Sequence, residues 1–285
     1  MNEEQIKQAL AFYQINEENY KNKCLKSLEE LEKNPKLLER VLTIRKRMLE
    51  DDEYLKSLWN IEDLKEILKE SSIPFLTNII LLSAYPLLKE NKRNFSNKQI
   101  KIAKKRIRES LLNDIIKRKY KSIRISQMLW GIYFAKERII EIGRLQYELS
   151  FINPLTNEVE QVIKIHIPKG KSLEIKEVKN SLKKAPKEIK KYFHLENPKY
   201  YCSSWLLSKE VLNELNENSN IFKFSQLFDI NDGNECTSDI LNFVFELKEC
   251  QNMNELPENT YLQKKLKQKL LEGKSIHLGI GLLKK

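Results

Sequence analysis

The sequence predicts an α+β protein, in which a helical first part precedes a mixed sheet with flanking helices. Apolar residues recur about every four positions from residue 1 to about 142, and every second position after Gly143. With 285 residues, 41% of them hydrophobic, the chain is typical of globular proteins, and its length favours two domains. We place the boundary after Arg124, which gives a helical N-terminal domain at 1–124 and a sheet domain at 125–285.

Helix signals mark the first part. Asn34 is a cap, and Pro35 at the first helical position begins the next helix. Ser96 and Gln99 are spaced as a capping box at the start of another helix. The apolar stretch Ile73 to Leu88 is short and interrupted by polar residues, which indicates a buried helix and excludes a membrane span. Residues 128–142 are predicted to form the last helix of this part.

Two alternating segments, Arg144 to Phe151 and Gln161 to Ile167, predict a β-hairpin. The apolar positions of both segments carry odd numbers. Pairing that buries them together therefore joins residues whose numbers have an even sum. This register places His166 and Glu148 on the same polar face, with Cβ atoms roughly 5 to 8 Å apart if they are opposite or diagonal.

The remaining elements complete one sheet with helices beside it. A helix with apolar positions from Ile175 to Phe193 follows the hairpin, and we expect Pro186 to kink or break it. Thr260 and Gln263 form a capping box that opens a later helix. The predicted strands after the hairpin are Tyr200 to Leu207, Leu241 to Leu247 and Ile276 to Leu283.

The positive charge is concentrated in one stretch. The formal net charge is +11, and Asn91 to Arg124 alone holds thirteen Lys and Arg residues against Glu109 and Asp114. Such a field attracts anions, so nucleic acid or an acidic partner is one interpretation. A solvated helix face is the alternative, and no helix-turn-helix signature accompanies the charge.

Cysteine and histidine spacing gives no metal site. The four cysteines are widely scattered without a CxxC pair, which predicts reduced thiols in the cytoplasm and no metal. The N-terminal residues are acidic and lack an apolar core, so we expect no secretory signal.

Six phrases of the second part follow one another in a recognisable order: Gly143 to Glu148, His166 to Leu173, Cys202 to Leu207, Ser219 to Ile221, Phe243 to Phe245 and Leu256 to Gln263. In this order they resemble a bacterial acyltransferase-domain family that has a helical N-terminal domain and a GNAT-like C-terminal domain. The resemblance implies a GNAT-like sheet domain. It also implies acyl-CoA (acetyl-CoA or longer) as co-substrate and a small-molecule or peptide acceptor with an amine or hydroxyl group.

One position departs from the family's pattern. The residue after the cysteine is often histidine in the family, whereas this chain has Ser203. The resemblance therefore leaves two functions open: an acyl-CoA-dependent N-acyltransferase, or a catalytically inactive GNAT-like domain that binds a ligand or partner.

A strand-to-helix junction supplies the candidate cofactor-binding residues, Lys169, Gly170, Lys171 and Ser172. Backbone amides at a helix start bind anions, glycine permits close approach, and the lysines add charge. The resemblance would place the CoA diphosphate here. An ordinary connection is the alternative, and Glu174 would compete with an anion.

The candidate catalytic residues are His166, Glu148 and Cys202. Imidazole titrates near neutral pH, so His166 is suited to act as a general base oriented by Glu148. The alternative is a histidine satisfied within a polar sheet face. Cys202 would need a nearby base to form a thiolate for a covalent route, and packing is the alternative role.

Overall fold

A computed structural model describes residues 1–51, 62–116, 122–170, 172–247, 250 and 252–284. The predicted α+β class, helical first and sheet-based second, is confirmed. The chain divides into two compact units, Met1–Ile140 and Glu141–Lys285. The predicted domain boundary after Arg124 stays a prediction.

The first unit is helical. Its described helices are α1 (Glu3–Phe12), α2 (Glu18–Glu32), α3 (Pro35–Glu50), α4 (Glu62–Glu70), α5 (Leu76–Leu82), α6 (Tyr85–Glu90), α7 (Asn97–Ile116) and α8 (Ile125–Ala135). The predicted cap at Asn34 is confirmed, because its side chain accepts a hydrogen bond from the Leu37 amide at 3.1 Å.

Helix α5 forms the centre of this unit. All seven of its residues are buried, which confirms a buried helix within the predicted stretch Ile73 to Leu88, although α6 begins separately at Tyr85. The polar side chains within it are satisfied: Asn78 donates to the Tyr20 hydroxyl at 2.7 Å and accepts from the Ile123 amide at 3.1 Å. No helix among the described residues is long and apolar enough to cross a bilayer.

The prediction of helix as far as residue 142 is wrong. Helix α8 ends at Ala135, Glu137 follows with φ of +53°, and strand β1 (Ile139–Ile142) begins two residues later. The β-branched pair Ile139 and Ile140 favours a strand, and both side chains are buried there.

The second unit is built on a mixed six-stranded sheet in the order β1-β2-β3-β4-β6-β5. Its other strands are β2 (Leu145–Ile152), β3 (Val159–His166), β4 (Tyr200–Ser204), β5 (Phe228–Glu235) and β6 (His277–Leu283). Strands β2 and β3 are the predicted hairpin, with Gln146 opposite His166 and Glu148 opposite Lys164. Both pairs have even sums, so the predicted register is confirmed.

Described helices flank the sheet: α9 (Ile175–Phe193), α10 (Lys209–Leu212), α11 (Asn220–Ser225), α12 (Thr237–Phe243) and α13 (Tyr261–Leu271). Helix α13 begins at the predicted capping box of Thr260 and Gln263. Helix α9 continues through Pro186, so of the predicted kink or break the break is wrong, and the kink stays a prediction.

Two strand predictions also fail in part. Residues 241–247 contain the end of α12 and no strand; the short apolar run instead places Ile240, Leu241 and Phe245 in a local core. The predicted strand from Tyr200 ends at Ser204, and a single 3-10 turn occupies Trp205–Leu207.

Two glycines in β6 allow that turn to cross the sheet closely. A Cβ atom on Gly279 would overlap the backbone of Leu207, and one on Gly281 would press against Phe228. Glycine is therefore required at these positions by the close approach of neighbouring backbone and side chains.

Candidate active site

His166 and Glu148 lie at the end of the β2–β3 hairpin and are hydrogen-bonded to each other. The His166 Nε2 atom is 2.7 Å from the Glu148 Oε2 atom. They are diagonal neighbours, since Gln146 is the direct partner of His166 and Glu148 that of Lys164. The hairpin therefore brings together two side chains that are 18 positions apart in the chain, as the alternation predicts.

The two members of this pair differ in exposure. The Glu148 side chain is 5% exposed and that of His166 is 29% exposed. A carboxylate buried against a more accessible imidazole can fix the orientation of the ring while the ring meets a ligand. The contact at Nε2 therefore holds the imidazole ring in one orientation beside the Glu148 carboxylate.

Strands β3 and β4 separate beside this pair. They run parallel, and their register pairs only Ile163 with Tyr200 and Lys164 with Tyr201. Beyond Lys164 on one side and Tyr201 on the other, the ladder stops, although both strands continue. The sheet therefore has an opening between its third and fourth strands, next to His166.

The loop that follows β3, residues 168–172, lies at the same end of the strand. Arg144 donates from Nε to the Ser172 carbonyl at 2.8 Å and from Nη1 to the Pro168 carbonyl at 2.9 Å. Alternation in the sequence gives no sign of this role for Arg144, because the residue lies in the turn between β1 and β2.

The predicted loop residues have distinct surroundings. Gly170 has φ of +108°, a conformation that favours glycine, and the space where a Cβ would lie is open. The Ser172 hydroxyl accepts a hydrogen bond from the side-chain amide of Asn220 at 3.2 Å. The Lys169 ammonium group contacts the Glu246 carboxylate. Lys171 lies outside the described residues.

Helix α9 begins at Ile175, with Glu174 in the N-cap position. Glu174 makes no side-chain cap hydrogen bond, and Ser172 bonds to Asn220 instead of capping the helix. The amides of the first turn thus lack a side-chain acceptor among the described residues, and these amides are the groups that bind anions at a helix start.

Cys202 lies on the other face of the sheet from His166. It follows Tyr201, the parallel partner of Lys164, so alternation places Ser203 on the His166 face and Cys202 on the opposite one. Burial raises the pKa of the Cys202 thiol to about 12. Ser203, in contrast, is exposed.

A second histidine–carboxylate pair lies elsewhere in this unit. His277 Nδ1 is 2.9 Å from Glu210 Oε1, and the Ser208 hydroxyl donates to Glu210 Oε2 at 2.7 Å. Burial alone would raise the pKa of Glu210, but these hydrogen bonds outweigh it and hold the pKa at about 2. No group of three metal-ligating side chains occurs among the described residues.

Some of the described basic residues of the stretch Asn91 to Arg124 have acidic or aromatic neighbours. Arg106 lies 2.8 Å and Lys105 3.9 Å from the Glu109 carboxylate. Arg108 pairs with Glu17 at 3.3 Å, and Lys104 lies over the Phe12 ring. Residues 117–121 of the stretch lie outside the described residues.

Comparison with known proteins places the second unit in a family. The family model described as GNAT-like C-terminal domain matches residues 139–283, which is just over half of the chain. The chain belongs to this family. No curated protein matches the sequence significantly.

Solved structures are similar in fold to nearly the whole chain, including its helical first part. One is an acyltransferase in complex with CoA and 10C-teicoplanin, with a TM-score of 0.74 and 17% identity, covering 98% of this chain and 87% of the other. A mutant acyltransferase in complex with octanoyl-CoA has a TM-score of 0.74 and 18% identity, covering 99% and 88%. A third, in complex with decanoyl-CoA and teicoplanin, has a TM-score of 0.72 and 18% identity, covering 98% and 87%. These likenesses confirm the fold expected from the resemblance, a helical part followed by a GNAT-like sheet.

Proposed function

We propose that this protein is an acyl-CoA-dependent acyltransferase, with residues 125–285 as its GNAT-like acyltransferase domain. The observation that carries the proposal is the opening between β3 and β4, which lies directly beside the His166–Glu148 pair. The opening can position an extended thioester donor, and the oriented imidazole can accept the proton of the attacking amine.

The opening is suited to the pantetheine arm of acyl-CoA. Past Lys164 and Tyr201 the two strands leave ladder positions unfilled, at Ile165 and His166 on β3 and from Cys202 onward on β4. An extended ligand with amide groups can hydrogen-bond to such strand edges. The thioester would then lie near His166, at the end of β3.

The diphosphate would lie at the 168–172 loop and the start of α9. The amides at the helix start carry a partial positive charge, and Lys169 and Lys171 add to it. Lys169 already contacts Glu246, so diphosphate binding would compete for that ammonium group. The negative charge of Glu174, at the start of the helix, would repel a diphosphate bound there.

In the reaction, the lone pair of an acceptor amine attacks the thioester carbonyl carbon. The C–N bond forms, the C–S bond breaks, and CoA leaves as a thiolate. His166, oriented by its hydrogen bond to Glu148, would accept the amine proton, and that proton would then pass to the CoA thiolate. Cys202 has no part in this sequence, because it lies on the other face and its thiol is protonated at neutral pH.

The proposed acceptor is an amine or hydroxyl on a small molecule or peptide. Structures with the same fold hold CoA, octanoyl-CoA or decanoyl-CoA, and two hold teicoplanin or its 10C form. These complexes support acyl-CoA as the donor, acetyl-CoA or longer. They favour acyl transfer over nucleic-acid binding as the function. We expect the protein to act in the cytoplasm, where acyl-CoA is found.

The experiment is a calorimetric titration of the full chain with CoA, followed by thiol-release assays with acetyl-, octanoyl- and decanoyl-CoA and a panel of amines. Mass spectrometry of the purified protein would reveal retained CoA. We expect CoA binding and acceptor-dependent thiol release. A wild-type protein that binds none of these CoA compounds would exclude the proposed function.

A second candidate function is ligand binding without turnover. It is favoured by Ser203, which is exposed on the His166 face where the family often has histidine. This candidate predicts CoA binding with no acceptor-dependent thiol release from any donor in the panel. Turnover with even one amine decides for the enzyme.

A further inference from the structure

Arg144 occupies a position from which it can reach past the end of β3. It lies in the β1–β2 turn, directly after Gly143, whose φ is +59°. Two residues later, Gln146 pairs with His166, the last residue of β3. The Arg144 side chain therefore begins beside the point where β3 passes into the 168–172 loop.

The guanidinium group of Arg144 holds both ends of this loop. Its two hydrogen bonds join the carbonyl oxygens of Pro168 and Ser172, which are four residues apart. Arg144 as a whole is only 7% exposed, so these bonds form largely away from water. Hydrogen bonds from a charged donor are about twice as strong as neutral ones.

These two bonds also determine where the loop's amides point. In a trans peptide the carbonyl oxygen and the following N–H lie on opposite sides of the C–N bond. Because the Pro168 and Ser172 carbonyls face Arg144, the N–H groups of Lys169 and Leu173 face away from it. Two backbone donors are thus turned to the side of the loop opposite the guanidinium.

We propose that Arg144 is a positioning residue that holds Pro168 and Ser172 so that the Lys169 and Leu173 amides can bind the diphosphate of acyl-CoA. This inference rests on the proposed function and assigns a role within it to a residue in the hairpin turn. The planar guanidinium can serve two carbonyls at once, whereas a lysine ammonium on the same turn has no fixed fork. The role is one of geometry first, with the added positive charge second.

The variants Arg144→Lys and Arg144→Gln separate these two contributions. Lysine keeps the charge and loses the fork, and glutamine loses the charge. The matched control is Arg45→Lys in the first unit, because Arg45 also bonds twice, from Nε to the Ser83 hydroxyl at 2.6 Å and from Nη2 to the Ser83 carbonyl at 3.0 Å.

The measurements are the Kd for CoA by calorimetry and amide hydrogen exchange over residues 166–174, both on the full chain. We expect Arg144→Lys to raise the Kd about tenfold or more, as loss of one charged hydrogen bond implies. Exchange over the loop should accelerate in the same variant. Arg45→Lys should change neither quantity by more than about twofold. In steady-state assays, KM for acyl-CoA should rise while KM for the acceptor stays constant.

A wild-type measurement covers the case in which the Arg144 variants fail to fold. The Arg144 Nε–H proton, bonded to the Ser172 carbonyl, should exchange slowly with solvent in NMR spectra of the unmodified protein. A fast-exchanging Nε–H would overturn the inference. So would wild-type affinity for CoA in folded Arg144→Lys, whether or not Arg144→Gln binds weakly. If the wild-type chain itself does not bind CoA, the proposed function falls as well, which a failure of Arg144→Lys alone would not show.

Discussion

The second unit contains two histidine–carboxylate pairs that are nearly equal in bond length and unequal in surroundings. The His166–Glu148 contact is 2.7 Å and the His277–Glu210 contact is 2.9 Å. Glu148 is buried in the sheet beside the β3–β4 opening, whereas Glu210 is 31% exposed at the side chain and shares a hydrogen bond with Ser208. The comparison teaches that such a pair becomes a candidate site through what lies next to it, because the bond itself occurs in both places.

The largest difference between the pairs should appear when each imidazole is removed. We expect His166→Ala to lower kcat/KM by about 10² to 10⁴, the usual contribution of a general base. His277→Ala, the matched control, should stay within about threefold of wild type because His277 lies on β6, which is not one of the two strands that border the β3–β4 opening. Thiol release from acyl-CoA measures both. Equal losses in the two variants would show that the His166 pair is no more important for activity than the His277 pair.

The orienting carboxylates should show the same contrast at smaller size. Glu148→Gln keeps the shape and loses the charge that holds the imidazole tautomer, so we expect kcat to fall about 10-fold to 100-fold. Binding of CoA, followed by calorimetry, should be unchanged. Glu210→Gln should retain wild-type kcat. An unchanged kcat in Glu148→Gln would show that Glu148 does not orient a base.

The second pair should instead appear in the pH dependence of stability. The pKa of Glu210 is lowered from 4.5 to about 2 in the folded chain. Its ionised form therefore stabilises the fold above pH 4.5, and this contribution is lost as the pH falls from about 4.5 to about 2. After allowance for solvent screening, we expect on the order of 1 kcal/mol.

Urea unfolding at pH 7, 4 and 2.5 checks this expectation. The free energy of unfolding of wild type should fall more steeply over the acidic range than that of Glu210→Gln, and the two curves should converge at the lowest pH. Parallel curves would contradict the role assigned to the Glu210 hydrogen bonds.

The smallest effect should come from Cys202, on the opposite face from His166. Cys202→Ala should keep kcat/KM within about threefold of wild type, because the thiol is protonated and takes no proton or acyl group. A modest fall in melting temperature, from the lost packing of a buried side chain, is expected in thermal scans. An acyl-cysteine adduct on Cys202, detected by mass spectrometry, would overturn this assignment.

Much of the site geometry followed from local pattern. Alternation with a period of two fixes which residues of a hairpin share a face, and the odd-numbered apolar set left one register parity. The alternation alone therefore places His166 and Glu148 on the same face and close together. The capping box of Thr260 and Gln263 was predictable from the sequence because its two residues lie three positions apart.

Features that depend on distant neighbours did not appear in the sequence. Strand β5, Phe228–Glu235, is polar along most of its length and lies at the sheet edge, so no alternating apolar pattern announces it. The separation of β3 from β4 depends on where two segments more than thirty residues apart stop pairing. The two bonds of Arg144 depend on a turn and a loop that only the folded sheet brings together.

The glycines of β6 have a consequence for the opening between β3 and β4. Gly279 and Gly281 are in close contact with Leu207 and Phe228, so the turn that follows β4 packs directly against β6. A side chain at either glycine would displace Leu207 or Phe228. Under the proposed function, these two glycines therefore set the position of β4 as one wall of the opening, from the side of β4 that faces away from His166.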